Sequence, residues 1–155
     1  MLEGDVYRRC ASIVVFRSAE DGNGYEFLLL HKPRKNDVWQ LPQGGCEGEE
    51  TVAEAAVREL REEAGVAADV LGRSTLEYKY DFPPSYRRFR PDNVCGQCVQ
   101  FIFGRLREGQ EVRVDRKEID AHAWVRADDL HRYIKRKEYV DLVERLVAEG
   151  VRLLS

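Results

Sequence analysis

The segment from Gly44 to Val66, GGCEGEETVAEAAVRELREEAGV, decides the fold of this chain. Wound from Thr51 onward as a helix of about 3.6 residues per turn, it places an apolar stripe along one side. The stripe consists of Val52, Ala55, Ala56, Leu60 and Ala64. Two glutamates, Glu59 and Glu63, fall in the middle of this stripe, where a helix ordinarily carries only apolar side chains.

The two glutamates predict a bound cation. Carboxylates four residues apart on one helix face repel each other, and turning them toward a core adds a desolvation cost. Mg²⁺ would offset both effects, because it prefers hard oxygen ligands and shares its shell with water and substrate phosphates. Glu62, at the edge of the same face, would widen the site enough for more than one ion. The alternative is an acidic helix whose glutamates reach solvent at the rim of the core.

Nine positions of the segment fit the spaced pattern G-x5-E-x7-R-E-U-x-E-E-x-G-U, in which U is a bulky apolar residue. The matching residues are Gly44, Glu50, Arg58, Glu59, Leu60, Glu62, Glu63, Gly65 and Val66. The segment therefore resembles the Nudix box. This resemblance implies an α/β/α sandwich with a central mixed sheet and hydrolysis of a phosphoanhydride by a metal-activated water.

Local signals agree with a helix that follows a loop. Thr51 is placed as an N-cap, and Glu54 three residues later completes a capping box. Gly65, just past the last turn, can adopt the left-handed conformation that ends a helix. Arg58 falls on the side of the helix away from the apolar stripe, and we expect it to pair with Glu50 and fix the loop to the helix.

The whole chain of 155 residues is expected to form one domain, spanning residues 1–155. Its formal charge of −3 gives no general polyanion-binding surface, so nucleotide contacts require a local basic patch, and we expect no DNA partner. No signal peptide or membrane-spanning apolar run is evident, which predicts a cytoplasmic protein with no membrane partner.

The four cysteines are Cys10, Cys46, Cys95 and Cys98, and only the last two form a CxxC pair. A zinc ribbon needs two such pairs, which Cys10 and Cys46 do not supply. A redox dithiol is the alternative, yet the pair leads into the apolar run from Val99 to Phe103 rather than opening a helix. We therefore expect reduced thiols on or near a strand.

Apolar runs and turn residues predict the elements outside the box helix. The predicted strands are Ser12 to Phe16, Glu26 to His31, Trp39 to Leu41, Val70 to Tyr80, Gln97 to Leu106 and Ala121 to Val125. The first two form a hairpin, and a loop with Pro83, Pro84 and Pro91 joins the fourth to the fifth. Helical segments are predicted near Asp128 to Tyr133 and Glu138 to Ala148.

The flanks of the box resemble one branch of the Nudix family. They include Tyr7-Arg8-Arg9, Trp39 to Gly45, Tyr80 to Pro84, Gly96-Gln97, Glu118 to Asp120 and Trp124-Val125. This branch contains asymmetric dinucleoside tetraphosphate hydrolases and bacterial RNA 5′-pyrophosphohydrolases. The chain departs from it where Val99, Gln100 and Phe101 stand in place of a glutamine, a lysine and a tryptophan, which removes one expected phosphate contact.

The resemblance implies a set of metal and catalytic residues. Glu59, Glu62 and Glu63 are the expected ligands of Mg²⁺ or Mn²⁺, with the main-chain carbonyl of Gln43 or Gly44 completing the shell. Glu118, just before the last strand, is a further candidate ligand or general base. The alternative for Glu118 is an ordinary surface glutamate.

Candidate substrate-binding residues lie outside the box. Arg8 could bind a terminal phosphate bidentately, or could simply be an exposed arginine. Tyrosines beside arginines are typical of a nucleotide pocket, although one of Tyr78 and Tyr80 could pack in the core instead. The candidates are Arg8, Lys32, Tyr78, Tyr80, Tyr86 and Gln97, with Phe82 as a further stacking surface and the basic clusters His31, Lys32, Arg34, Lys35 and Arg87, Arg88, Arg90 beside them.

The first functional hypothesis is asymmetric cleavage of diadenosine tetraphosphate to ATP and AMP. The alternative within enzymes is removal of pyrophosphate from RNA 5′ ends that carry a triphosphate. A non-catalytic nucleotide sensor is the alternative outside enzymes, although degenerate members of the family usually lose box carboxylates and all of them are present here.

Overall fold

The computed structural model describes residues 4–34, 37–87 and 93–154, and it shows a mixed sheet between helices. The strands are β1 (Val6–Ser18), β2 (Tyr25–Lys32), β3 (Val38–Gln40), β4 (Gln43–Gly45), β5 (Ala68–Asp81), β6 (Val94–Leu106) and β7 (Ala121–Val125). The helices are α1 (Val52–Ala64), the short α2 (Pro84–Arg87) and α3 (Lys137–Leu154), with a 3-10 helix at Ala127–Arg132. This architecture confirms the predicted α/β/α sandwich.

The sheet has the order β3-β2-β1-β6-β5, with β4 paired to β1 and β7 paired to β2. β1 and β6 run parallel, and the other pairs are antiparallel, so the sheet is mixed as predicted. β1 and β2 form the predicted hairpin, in which Phe16 lies opposite Phe27. β1 therefore lies at the centre of the sheet, paired with β2, β4 and β6.

Two apolar layers cover the two faces of the central strands. Along β1, Val14 and Phe16 pack in the layer that includes α3, whereas Ile13 and Val15 pack in the layer that includes α1. A strand buried on both faces carries a nearly continuous apolar run, which explains the uninterrupted sequence from Ser12 to Phe16. The helix α1 is thereby held against the sheet, with its glutamates toward β4.

Several elements differ from the sequence-based expectation, among them β1, which begins at Val6 rather than Ser12. Gln43–Gly45 was predicted as loop but forms β4, which pairs with Cys10 to Ser12 of β1. Pro84–Arg87 was predicted as loop but forms the short helix α2. α3 continues to Leu154 rather than ending near Ala148, because Val147 and Gly150 remain buried against the sheet. The predicted residues Lys35, Arg88, Arg90 and Pro91 lie outside the described residues.

The cysteines lie on or beside strands, as predicted. Cys10 is on β1, Cys95 and Cys98 are on β6, and Cys46 directly follows β4. Burial and the neighbouring Glu77 carboxylate, 3.0 Å from the Cys98 sulfur, raise the pKa of the Cys98 thiol to about 11. A thiol protonated at neutral pH is a poor nucleophile, which argues against a redox dithiol.

Among the helices of the described residues, none combines the length and apolar character that a membrane crossing requires.

Candidate active site

Helix α1 begins and ends as predicted, and this fixes the direction of its glutamates. The hydroxyl of Thr51 accepts a hydrogen bond from the Glu54 main-chain N–H at 3.1 Å, and the Glu54 carboxylate accepts one from the Thr51 N–H at 3.0 Å. Gly65 has a φ of 68° and donates its N–H to the carbonyl of Arg61. The capping box and the glycine stop therefore satisfy main-chain groups at both ends of the helix.

Glu63 is buried, with 3% of the residue exposed, and both of its carboxylate oxygens accept hydrogen bonds. Oε1 accepts the main-chain N–H of Gln43 at 3.0 Å, and Oε2 lies 3.0 Å from Nζ of Lys32. Burial raises the pKa of the Glu63 carboxyl, against the opposing effects of Lys32 and the Gln43 N–H. The carboxylate is thus costly to keep charged and is held at two points.

Lys32 supplies the positive charge that the sequence led us to expect from a metal ion. It ends β2, only 4% of the residue is exposed, and its ammonium group faces Glu63. Sequence reasoning grouped Lys32 with the phosphate-binding candidates and missed this ion pair. A lysine closing the apolar run Phe27 to Leu30 was the available signal, but its partner is 31 positions away and only the fold brings the two together.

Glu59 lies directly against the main chain of β4. A Cβ atom built on Gly44 would lie 2.1 Å from the carboxyl carbon of Glu59, so Gly44 is needed for this close approach. Burial raises the pKa of the Glu59 carboxyl, while Arg58 lowers it. The Glu59 carboxylate therefore lies against β4, and the main-chain carbonyl groups of β4 are also suitable oxygen ligands for a hard cation.

Arg58 ties the loop before α1 to the helix. Its guanidinium donates bidentately to Glu50, at 2.8 and 3.0 Å, and to the carbonyl of Gly45 at 2.8 Å. The predicted pairing with Glu50 is confirmed. The prediction that Arg58 stays on the far side of the helix was wrong, because the long side chain bends back so that Nη1 also reaches Glu59 at 2.9 Å and Glu62 at 3.2 Å.

The carboxylates of α1 have the oxygen chemistry that a hard divalent cation prefers, although the side chains of Lys32 and Arg58 contact them in this structure. Among the described residues, no group of three or more His, Cys, Asp or Glu side chains is arranged to hold a metal ion. Lys32 pairs with Glu63, and Arg58 pairs with Glu59 and Glu62. Because Glu50 also pairs with Arg58, the carboxylates around the site carry more negative charge than the two side-chain cations balance. A divalent cation would neutralise this excess.

Glu118 lies in a tight turn before β7, and its side chain is exposed. The carboxylate of Asp115 accepts the main-chain N–H groups of Lys117, Glu118 and Ile119, which shapes the turn. Ile119 is fully buried in the layer that includes α1, so the segment is anchored next to Glu118. The contacts that the structure gives Glu118 itself are made by its main chain, and its proposed catalytic role stays a prediction.

Three of the predicted substrate residues form a row across neighbouring strands. Arg8 of β1 lies opposite Gln97 of β6, and Gln97 lies opposite Tyr80 of β5. The Tyr80 hydroxyl donates to the side-chain oxygen of Gln97. A Cβ atom on Gly45 would lie 2.1 Å from Nη2 of Arg8, so the guanidinium lies over β4 beside the loop that Arg58 holds.

A cavity of about 490 Å³ adjoins this row on the side of the sheet that faces α3. Its lining residues are Asp37, Val38, Trp39, Gln40, Gln43, Tyr78, Tyr80, Tyr133, Ile134, Lys135, Arg136, Glu138 and Tyr139. Gln43 belongs both to this cavity and, through its N–H, to the Glu63 site. Gln43 therefore borders both the cavity and the buried carboxylate.

Aromatic side chains and a cation form much of the cavity wall. Trp39 and Tyr133 meet edge to face with ring centroids 5.1 Å apart, and Tyr78 packs 5.9 Å from Tyr139. Arg136 donates to the Tyr78 hydroxyl and to Glu138. Such a wall suits stacking of a nucleobase.

Tyr78 and Tyr86, both predicted to bind substrate, have different positions. Tyr78 lines the cavity and packs on the core that includes α3, whereas Tyr86 of α2 is exposed and contacts Phe82. Sequence reasoning missed the contribution of Tyr133, Arg136 and Tyr139. The available signal was the basic and aromatic stretch from Tyr133 to Tyr139, which lies far from the box in sequence.

Gln40 is a further cavity residue that sequence reasoning did not single out. Its side-chain nitrogen is buried and has no hydrogen-bond partner among the described residues. A buried donor left unpaired costs free energy, and a polar ligand in the cavity would relieve that cost.

His31 connects two aspartates at the edge of the cavity. Its Nδ1 lies 2.6 Å from Asp120 and its Nε2 lies 2.6 Å from Asp37, which lines the cavity with a left-handed φ of 56°. Desolvation lowers the pKa of His31, but the hydrogen bonds to Asp120 and Asp37 outweigh it, so the net pKa is raised. The protonated imidazole therefore stabilises the folded state.

We predict that the His31 imidazole contributes to the stability of the folded protein in a pH-dependent way. Because the folded pKa is raised, the contribution should be complete below the unfolded value of about 6.5 and disappear as the pH rises through the folded pKa. The difference in the free energy of unfolding between wild type and His31→Gln, measured by urea at several pH values, should be largest in acid and shrink toward pH 8. A difference at His31 that does not change with pH would contradict the assignment.

Comparison with known proteins places the same features in a family. A family model described as the NUDIX domain matches residues 6–146. An RNA pyrophosphohydrolase of Halorhodospira halophila is 38% identical over 132 residues, which cover 81% of this chain and 70% of the relative. An RNA pyrophosphohydrolase of Erythrobacter litoralis is 33% identical over 151 residues, which cover 89% of each chain.

Solved structures share the fold at lower identity. A C. elegans Ap4A hydrolase superposes with a TM-score of 0.70 at 20% identity, covering 92% of this chain and 96% of that chain. The E. coli dihydroneopterin triphosphate pyrophosphohydrolase gives a TM-score of 0.69 at 18% identity, covering 94% and 99%. These structures confirm the α/β/α architecture.

Proposed function

The chain belongs to the Nudix family and is a pyrophosphohydrolase, and from this premise we propose that it removes pyrophosphate from RNA 5′ ends that carry a triphosphate. The curated relatives that resemble it at 30–38% identity are RNA pyrophosphohydrolases. They favour the alternative from the sequence over the first hypothesis, cleavage of diadenosine tetraphosphate. The Ap4A hydrolase shares the fold, but at 20% identity it does not support the same substrate.

The observation that carries the proposal is the position of Gln43. Its main-chain N–H binds the buried Glu63 carboxylate, and the same residue lines the aromatic cavity. A nucleoside stacked between Trp39, Tyr78 and Tyr133 would therefore extend its 5′ phosphates toward α1. Gln43 would therefore connect the pocket that recognises the base with the site at which phosphorus is attacked.

Members of the family typically use a divalent metal, and the residues that would hold it here are the α1 carboxylates. Glu59, Glu62 and Glu63 would bind Mg²⁺ or Mn²⁺, with more than one ion present when phosphates are bound, and a carbonyl of Gln43 or Gly44 would complete the ligands. A divalent cation bound there would neutralise phosphate oxygens and lower the pKa of bound water.

The remaining steps belong to side chains of the chain itself. Arg58 binds the loop before α1 and donates a hydrogen bond to Glu59, whose carboxyl group lies against Gly44. These contacts keep the carboxylates in one arrangement. Arg8, whose guanidinium lies over β4, would bind a phosphate with two parallel donors. Glu118, exposed beside β7, would accept a proton from the attacking water.

Purified protein with Mg²⁺ should be offered a 5′-triphosphate RNA and diadenosine tetraphosphate side by side. We expect the RNA to have the higher kcat/KM and to yield 5′-monophosphate RNA, because an RNA supplies a base for the cavity and a terminal triphosphate for Arg8. A higher kcat/KM for diadenosine tetraphosphate would return the first hypothesis to first place. No turnover on either substrate would favour a nucleotide sensor.

A further inference from the structure

Lys32 and Glu63 form an ion pair that a metal site does not need. Both residues are almost completely buried, and their charged atoms are 3.0 Å apart. Burying a lysine and a carboxylate costs several kcal/mol for each ion unless they compensate one another. Removing either partner would leave the other charge buried without compensation.

The pair includes Glu63, one of the three expected metal ligands. The second Glu63 oxygen is held by the Gln43 N–H at 3.0 Å, so each oxygen already has a partner from the chain. The Lys32 ammonium group therefore already occupies one oxygen of an expected ligand.

We propose that Lys32 is a positioning residue that acts as the resident counter-cation of the site. It holds the Glu63 carboxylate aligned on β4, and it would release the Glu63 oxygen that it holds when a divalent cation binds. Lys32 and the metal compete for one carboxylate, and the metal affinity of the free protein is lower than that of a site without the lysine. This inference rests on the proposed divalent cation site.

The competition predicts how metal affinity responds to substitution at position 32. Lys32→Met removes a positive charge beside the ligands, and we expect it to lower the Kd for Mn²⁺, measured by electron paramagnetic resonance without nucleotide, by about tenfold or more. Lys32→Arg keeps the charge and should bind Mn²⁺ within about threefold of wild type. An unchanged or higher Kd in Lys32→Met overturns the inference.

A measurement on the unaltered protein covers the case in which Lys32→Met does not fold. Lysine labelled with ¹³C at Cε gives one resonance for Lys32, assigned by its absence from Lys32→Arg. We expect this resonance to shift during a Mg²⁺ titration, with a midpoint equal to the Kd measured for Mg²⁺ itself. Saturation with Mg²⁺ that leaves the Lys32 resonance in place overturns the inference alone. A wild-type protein that binds neither Mg²⁺ nor Mn²⁺ overturns the metal site together with it.

Discussion

Replacing Glu63 with glutamine is expected to lower kcat on 5′-triphosphate RNA by about 1,000-fold or more. The estimate is a lower bound, because changes to residues that merely support a metal ligand already cost about 10–100-fold. Glutamine keeps an oxygen that can accept the Gln43 N–H, so the shape of the site is conserved while its negative charge is lost. Steady-state kinetics with saturating Mg²⁺ measures the effect.

Stability must be measured beside activity in this variant. Glu63→Gln leaves the buried Lys32 without its counter-charge, which should lower the free energy of unfolding. The double variant Lys32→Met with Glu63→Gln should regain part of that stability and none of the activity. Glu49→Gln, an exposed glutamate in the loop before α1, is the matched control and should leave both quantities unchanged. A folded Glu63→Gln protein with kcat within tenfold of wild type would contradict the role of Glu63.

Replacing Arg58 with alanine is expected to cost about 2–4 kcal/mol of unfolding free energy and to lower kcat/KM by about 100-fold. The guanidinium joins Glu50, the Gly45 carbonyl and Glu59, so its loss releases the loop and one carboxylate together. Urea unfolding and kinetics on 5′-triphosphate RNA measure the two effects.

Arg58→Lys separates geometry from charge in this prediction. A lysine keeps the positive charge but cannot donate bidentately to Glu50 and also reach Gly45, so it should recover little activity. Arg61→Ala removes an exposed arginine from the same helix and should change stability by no more than about 0.5 kcal/mol. Full activity in Arg58→Lys would show that charge alone is sufficient.

The sequence predicted the elements whose signals are local. The cap at Thr51, the stop at Gly65 and the burial of one face of α1 all follow from residues that are close in sequence, and the structure confirms them. The strand at Gln43–Gly45 was missed because two glycines favour a loop by propensity. Its pairing with β1 is a tertiary effect, and Gly44 is there to admit the Glu59 carboxylate.

The features that the sequence could not predict join residues that are far apart along the chain. Burial of Glu63 correctly indicated a positive partner, yet nothing within the box identifies that partner as Lys32. The cavity likewise combines Trp39 and Gln43 with Tyr133 and Arg136 from beyond β7. Local sequence patterns determine the secondary-structure elements. Which distant residues come into contact depends on how the strands are arranged in the sheet.

The conversion of 5′-triphosphate RNA to 5′-monophosphate RNA in single-turnover conditions, with wild type and Glu63→Gln compared with and without Mg²⁺, tests the central claim most directly. We predict rapid release of pyrophosphate by the wild type with Mg²⁺ and almost none by Glu63→Gln or without the metal. Equal rates for the two proteins, or a wild-type rate that does not depend on a divalent cation, would contradict it.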